Sequence, residues 1–214
     1  MAVAYVSEAH NDAGSSTTLT VTKTINAGED IVFCFAETGT GTTITSVLDN
    51  NSVAYSALGD LAGNSTHTWC YGKIDAPAAT SLTVTFSQAV VKNGTVFAFT
   101  GVSAFGNTGS ATSASSSNPS MSITTQEADN YIACLFGQGD TAAATAQNGT
   151  IRVNNFNLNQ GSRFNTSITN TAASPGSVTC SYTIGTARSY TAFGVELRNP
   201  AAAGGKPWYA YAQQ

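Results

Sequence analysis

The chain has 214 residues, carries a formal net charge of −4 and is only 9% charged, against roughly 25% in an ordinary soluble domain. Solubility therefore rests on hydroxyls and amides. The eight basic residues, Lys23, Lys73, Lys92, Arg152, Arg163, Arg188, Arg198 and Lys206, are scattered singly; they offer no basic face to displace counterions, which argues against a nucleic-acid partner.

No segment nears the roughly 18 apolar residues of a membrane span. The start, M-A-V-A-Y-V-S-E-A-H-N-D, lacks the basic and apolar runs of a secretion signal. Either a leader has been removed or the protein is not exported by that route.

In chain order, period-two alternation recurs and helical periodicity does not. Ala2 to Glu8 alternates weakly before the turn-like cluster N-D-A-G-S-S. Thr17 to Lys23 then places Leu19 and Val21 on one face and threonines on the other, a half-buried strand.

After N-A-G-E-D comes E-D-I-V-F-C-F-A, apolar on both faces, which predicts a central strand covered on each side. Short strands follow at Ile44–Leu48 and Val53–Leu58, separated by D-N-N-S and followed by the turn G-D-L-A-G-N-S. Thr66 to Ile74 sets His67, Trp69 and Tyr71 on one face, with Trp69 and Tyr71 expected inward because rings bury the most area. Leu82, Val84 and Phe86 form the inward row of the next strand, and Thr95 to Thr100 closes the first half. Gly101 to Pro119, small and hydroxyl-rich, reads as the crossing between halves.

The second half repeats this order. M-S-I-T-T at Met121 matches L-T-V-T-K at Leu19, and D-N-Y-I-A-C-L-F at Asp129 matches the central strand, with Cys134 spaced 100 residues after Cys34 (134 − 34). S-V-T-C-S-Y at Ser177 matches S-L-T-V-T-F at Ser81, and Tyr190 to Leu197 matches Thr95 to Val102. Four correspondences in one order indicate an internal repeat. The expected fold is all-β: a single jelly-roll-like antiparallel β-sandwich over residues 1–199, built from half-repeats at about 17–103 and 120–199. Two tandem immunoglobulin-like domains are the rival arrangement.

The residues Asp49, Tyr55, Trp69, Tyr71, the Leu82 to Phe86 row, Phe97, Phe99, Gly101 and Val102 resemble a class of β-sandwich domains found in phage virion proteins and in bacterial surface or secreted proteins. The likeness covers most of the first half and part of the second. Where that class tends to carry a glycine in the turn after the aspartate, this chain has Asn50, Asn51 and Ser52. The resemblance implies a fold and a surface-facing role, and no catalytic residues.

The chemistry inventory points the same way. Two histidines, His10 and His67, are too few for a three-histidine zinc site, and no H-E-x-x-H, paired C-x-x-C, G-x-S-x-G or phosphate loop occurs. Glu37, Asp49, Asp60, Asp75 and Asp140 fall at expected strand ends or turns, where carboxylates accept backbone hydrogen bonds. The oxygen-rich turns Glu29–Asp30 and Glu127–Asp129 are the places for calcium, weighed against turns that hold none. The expectation is a non-enzymatic protein with no cofactor and no metal. Cys34, Cys70, Cys134 and Cys180 are candidates for a disulfide or for buried thiols, a choice that sequence leaves open.

After Pro200, A-A-A-G-G-K leads into P-W-Y-A-Y-A-Q-Q. This reads as a glycine hinge and an aromatic tail over residues 200–214, with Trp208, Tyr209 and Tyr211 as partner-binding residues, since such rings anchor interfaces. The expected function is a structural virion surface protein, a decoration, cement or fibre subunit whose tail docks on a capsid or fibre neighbour or on a second copy. The alternative is an extracellular carbohydrate-binding or adhesive module using Tyr55, Trp69 or Trp208 as glycan platforms.

Overall fold

The computed structural model describes residues 2–38, 41–63, 66–138, 144–156 and 164–200. Within them the chain is an all-β, antiparallel sandwich, as its alternation predicts.

The first half contributes β1 (Ala4–Ile25), β2 (Glu29–Glu37), β3 (Ile44–Asp49), β4 (Ser56–Ala62), β5 (His67–Ala76) and β6 (Ala79–Thr100). They pair in the order β1-β6-β2-β5-β4, with β3 also on β6. β1 and β6 have 22 residues each, about 70 Å if straight, too long for a small sandwich. Register shifts between Ala13 and Thr18 bend the pair. Its far end folds over, so that Leu19, Val21, Leu82, Val84 and Phe86, with Val47 of β3, share one core with Ile31, Phe33 and Phe35 of β2 and Trp69 of β5. The N-D-A-G-S-S cluster is thus a bulged bend inside a continuous strand rather than a turn between two.

The second half contributes β7 (Ala104–Ser116), β8 (Ser120–Thr125), β9 (Tyr131–Gln138), β10 (Thr145–Asn148), β11 (Thr150–Phe156), β12 (Phe164–Thr171), β13 (Gly176–Thr183) and β14 (Arg188–Arg198). One sheet runs β7-β14-β9-β12-β11 and the other β10-β13-β8. Strand for strand this repeats the first half. The near ends of β1 and β6 correspond to β7 and β14, β2, β5 and β4 to β9, β12 and β11, and the folded-over layer of β3, β6 and β1 to β10, β13 and β8. Met121, Ile123, Cys180 and Tyr182 pack over Ile132, Cys134, Phe136 and Ile168 in a second core.

A third core joins the halves. Val32, Cys34, Ala36, Phe97 and Phe99 meet Ala133, Leu135, Phe193, Val195 and Leu197, and Thr95 and Ser167 share a buried hydroxyl hydrogen bond of 2.7 Å across it. The molecule is therefore four layers deep, two from each half. All nine residues of β2 are buried, one face against its own half and the other against the second half.

Two details depart from the sequence reading. The segment read as a crossing is β7, an edge strand paired along β14, so the repeating units run 4–100 and 104–198. The two cysteine strands are topological equivalents, yet they are one residue out of step. Gly28 (φ 85°) and Asp129 (φ 58°) occupy the same left-handed corner, and their N–H groups donate to Ala76 O (3.0 Å) and Ala172 O (2.7 Å). A one-residue slip turns every side chain to the opposite face. Cys34 accordingly points into the shared core and Cys134 into the core of its own half.

Candidate functional site

On β5, alternation puts His67, Trp69 and Tyr71 on one face, as their spacing predicts. β4 pairs antiparallel beside them, with Asp60 opposite Trp69 and Ala62 opposite His67. A groove of about 260 Å³ opens there, walled by Asp60, His67, Trp69, Tyr71, Thr43 and Ile44. Thr43 is held from below: its N–H donates to Ser87 Oγ (3.0 Å), and its carbonyl accepts the Ser87 N–H (2.9 Å).

The centre of the groove is an imidazole–carboxylate pair. His67 Nε2 lies 2.6 Å from Asp60 Oδ2, so its N–H donates to the carboxylate. Nδ1 is buried and has no hydrogen-bond partner. The His67 ring stacks on Trp69 at 3.7 Å between centroids and 21° between planes. Trp69 in turn stacks on Phe35 at 5.7 Å, so the indole is covered on both faces and only 6% exposed. Burial, with a smaller push from Asp60, raises the Tyr71 phenol above its ordinary pKa.

Asp60 reaches His67 because β4 runs through Gly59 and Asp60 instead of ending at Leu58. The register shift between Ala57 and Gly59 places Gly59 at φ 145°, and a Cβ there would lie 2.5 Å from the Phe193 ring. The wall of the groove is thus seated on a side chain of the other half. The sequence signal G-D reads as a turn, and the pairing was missed for that reason.

The remaining expected residues are placed as follows. Trp208, Tyr209 and Tyr211 lie outside the described residues, as does Asp140. Tyr55 is 5% exposed, so neither it nor Trp69 offers a free ring as a glycan platform, which corrects that expectation; Trp208 lies outside the described residues. Cys34 and Cys70 stand opposite each other in the β2–β5 register and form a disulfide, with Cα atoms 4.2 Å apart, as a narrow cross-strand pair allows. Cys134 and Cys180 are buried free thiols. Burial and a hydrogen bond shared with Cys180 hold the Cys134 thiol well above its usual pKa.

Several carboxylates hold backbone N–H groups, and others pair with side chains. Asp49 Oδ1 accepts the N–H groups of Asn51 (2.8 Å) and Val53 (2.9 Å). Asp30, raised in pKa chiefly by burial, accepts those of Asp75 (3.0 Å) and Val102 (2.9 Å). Glu29 holds Asn26, and Glu127 pairs with the Arg198 guanidinium. Among the described residues no three metal-ligating side chains gather. Sequence reasoning missed Glu196, fully buried on β14, which accepts from Asn107 N, Gln126 N and Asn130 Nδ2. A lone acid in the apolar run F-G-V-E-L was the available signal.

No protein-family model, curated protein or solved structure matches the chain.

Proposed function

We propose that this protein is a non-enzymatic structural subunit of a virion surface, a decoration, cement or fibre protein, docking on a neighbouring subunit or a second copy through Trp208, Tyr209 and Tyr211. The observation that supports this reading best is the Cys34–Cys70 disulfide between two central strands, since such bonds persist on virion and cell surfaces and in secretions and are rare in cytosol. Two halves joined through a common core also suit a load-bearing role, and Asp30, Asp49 and Glu196 hold backbone N–H groups. Localisation on the virion surface follows, with the extracellular space as the alternative.

Deleting residues 206–214 tests the docking. Loss of incorporation into particles with an unchanged melting temperature is the expected result. Particles that retain the truncated protein at wild-type occupancy would sink it.

A second reading, a glycan-binding or adhesive module, draws on one observation. The groove beside His67 and Asp60 is partly open and mixes polar side chains with aromatic and aliphatic ones.

A further inference from the structure

We propose that Asn148 is a self-modifying site, at which the backbone nitrogen of Gly149 attacks the side-chain amide and water completes its conversion to aspartate and isoaspartate. The inference is independent of the tail and of any docking partner.

The dipeptide Asn-Gly occurs twice in the chain, both times as Asn-Gly-Thr, at Asn93 and at Asn148. A following glycine favours this chemistry, because no Cβ hinders the approach of its nitrogen to the amide carbon and its φ and ψ adjust freely. The two sites share a local sequence, and the fold separates them. Asn93 is 5% exposed within β6, opposite Asp12 of β1 on one side and Ala36 of β2 on the other. With ladders on both edges, ring closure there must wait for the core to open.

Asn148 ends β10, a strand of four exposed residues, and Gly149 is the corner between β10 and β11. That corner demands glycine. Its φ is 97°, and a Cβ would lie 2.7 Å from Ile168 Cγ2 and 2.9 Å from Thr169 O, so the reactive dipeptide comes with the turn. The amide donates from Nδ2 to Ser181 Oγ (2.8 Å), across a ladder whose register already shifts between Ala146 and Asn148.

In the step, a bond forms between Gly149 N and Asn148 Cγ as the Cγ–Nδ2 bond breaks, and ammonia leaves with the proton of the Gly149 N–H. Water then opens the cyclic imide. Opening at one carbonyl gives aspartate and at the other isoaspartate, so one water is consumed and one ammonia released without an oxidant or cofactor. Either product replaces the donor to Ser181 by a carboxylate, and isoaspartate also lengthens the main chain at the β10–β11 corner.

Peptide mapping by mass spectrometry tests the proposal on the full chain, aged in mildly alkaline buffer and sampled over weeks. The Asn148 peptide should gain the mass of an amide-to-acid exchange at least about tenfold faster than the Asn93 peptide, whose reaction requires opening of a core strand. In guanidinium the two should react at comparable rates. Part of the Asn148 product should accept a methyl group from isoaspartyl methyltransferase, and Asn148→Gln, whose longer side chain disfavours the same ring, should abolish the fast reaction. A native rate at Asn148 no faster than at Asn93 would overturn the proposal. A product that is aspartate alone would overturn the backbone attack, and a gap in rate that persists in guanidinium would overturn the part assigned to the fold.

Discussion

Ser52 and Lys92 show what single residues contribute to this fold. Ser52 closes the turn after Asp49 with φ 65°, a left-handed conformation that costs a side chain about 1 kcal/mol or more. Its N–H still donates to Asp49 O at 3.0 Å, so the turn forms despite the absent glycine. Ser52→Gly should raise stability by about 0.5–1 kcal/mol in urea titration, less if the freer unfolded chain offsets the gain. Lys92 is 2% exposed and donates to Val90 O and Ser16 Oγ (2.9 Å each) and to Ser16 O.

Burial pushes the Lys92 pKa down to about 8, against the opposing pull of Glu37. Between that value and the unfolded-chain value near 10.4, the unfolded state binds the proton that the folded state has released. The Lys92 contribution to stability should therefore rise with pH in this window, by on the order of 1 kcal/mol per unit at most, while the raised Cys134 thiol opposes it, because the unfolded chain loses that proton first. Urea midpoints at pH 8 and pH 9.5 for the wild type and for Lys92→Met check this: the stability of the wild type relative to the variant should rise between the two pH values. Neither residue stands out in the sequence: Lys92 looks like any scattered cation, and the D-N-N-S turn does not announce which residue goes left-handed.

Pattern and context divide differently at the scale of elements. The Leu19–Val21, Leu82–Phe86 and Met121–Ile123 rows face inward as their alternation requires. β7 escapes that logic because, apart from Phe105 and Asn107, it is an edge strand of Ala, Ser, Thr and Gly, held chiefly by the ladder to β14. The cysteines show how a repeat is legible in strand order and illegible in register. Aligning Cys34 with Cys134 is right about the strands and wrong about the faces, because the left-handed corner at Asp129 comes one residue later than the one at Gly28 demands.

The consequence is measurable by thiol counting. Native protein should show no maleimide-reactive thiols, denatured unreduced protein two, and denatured reduced protein four. Four thiols before reduction would remove the disulfide, and with it the main support for a surface location. Replacing Cys34 and Cys70 together by alanine should cost about 3–4 kcal/mol, the value expected for a bridge that closes a loop of this length.

For the molecule as a whole, the decisive feature is the core between the halves. A fragment of residues 1–103 keeps its own interior but exposes Val32, Ala36, Phe97 and Phe99, an apolar face too continuous for a soluble monomer. Size-exclusion chromatography should find it dimerised through that face or aggregated, with the 104–200 fragment behaving alike. Two well-behaved monomeric fragments would mean that the halves stand as independent sandwiches.

Alternation, turn residues and internal matches determined by themselves that the chain is all-β, doubled and built round two apolar strands. These properties are local, since a period of two and a turn are written within a few residues. Tertiary structure alone decided which face of each central strand meets the other half, that Asp60 belongs to a strand beside His67, and which two cysteines bond. Each of these depends on register, a relation between segments distant in the chain, and a shift of one residue reverses it without altering the pattern that can be read along the sequence.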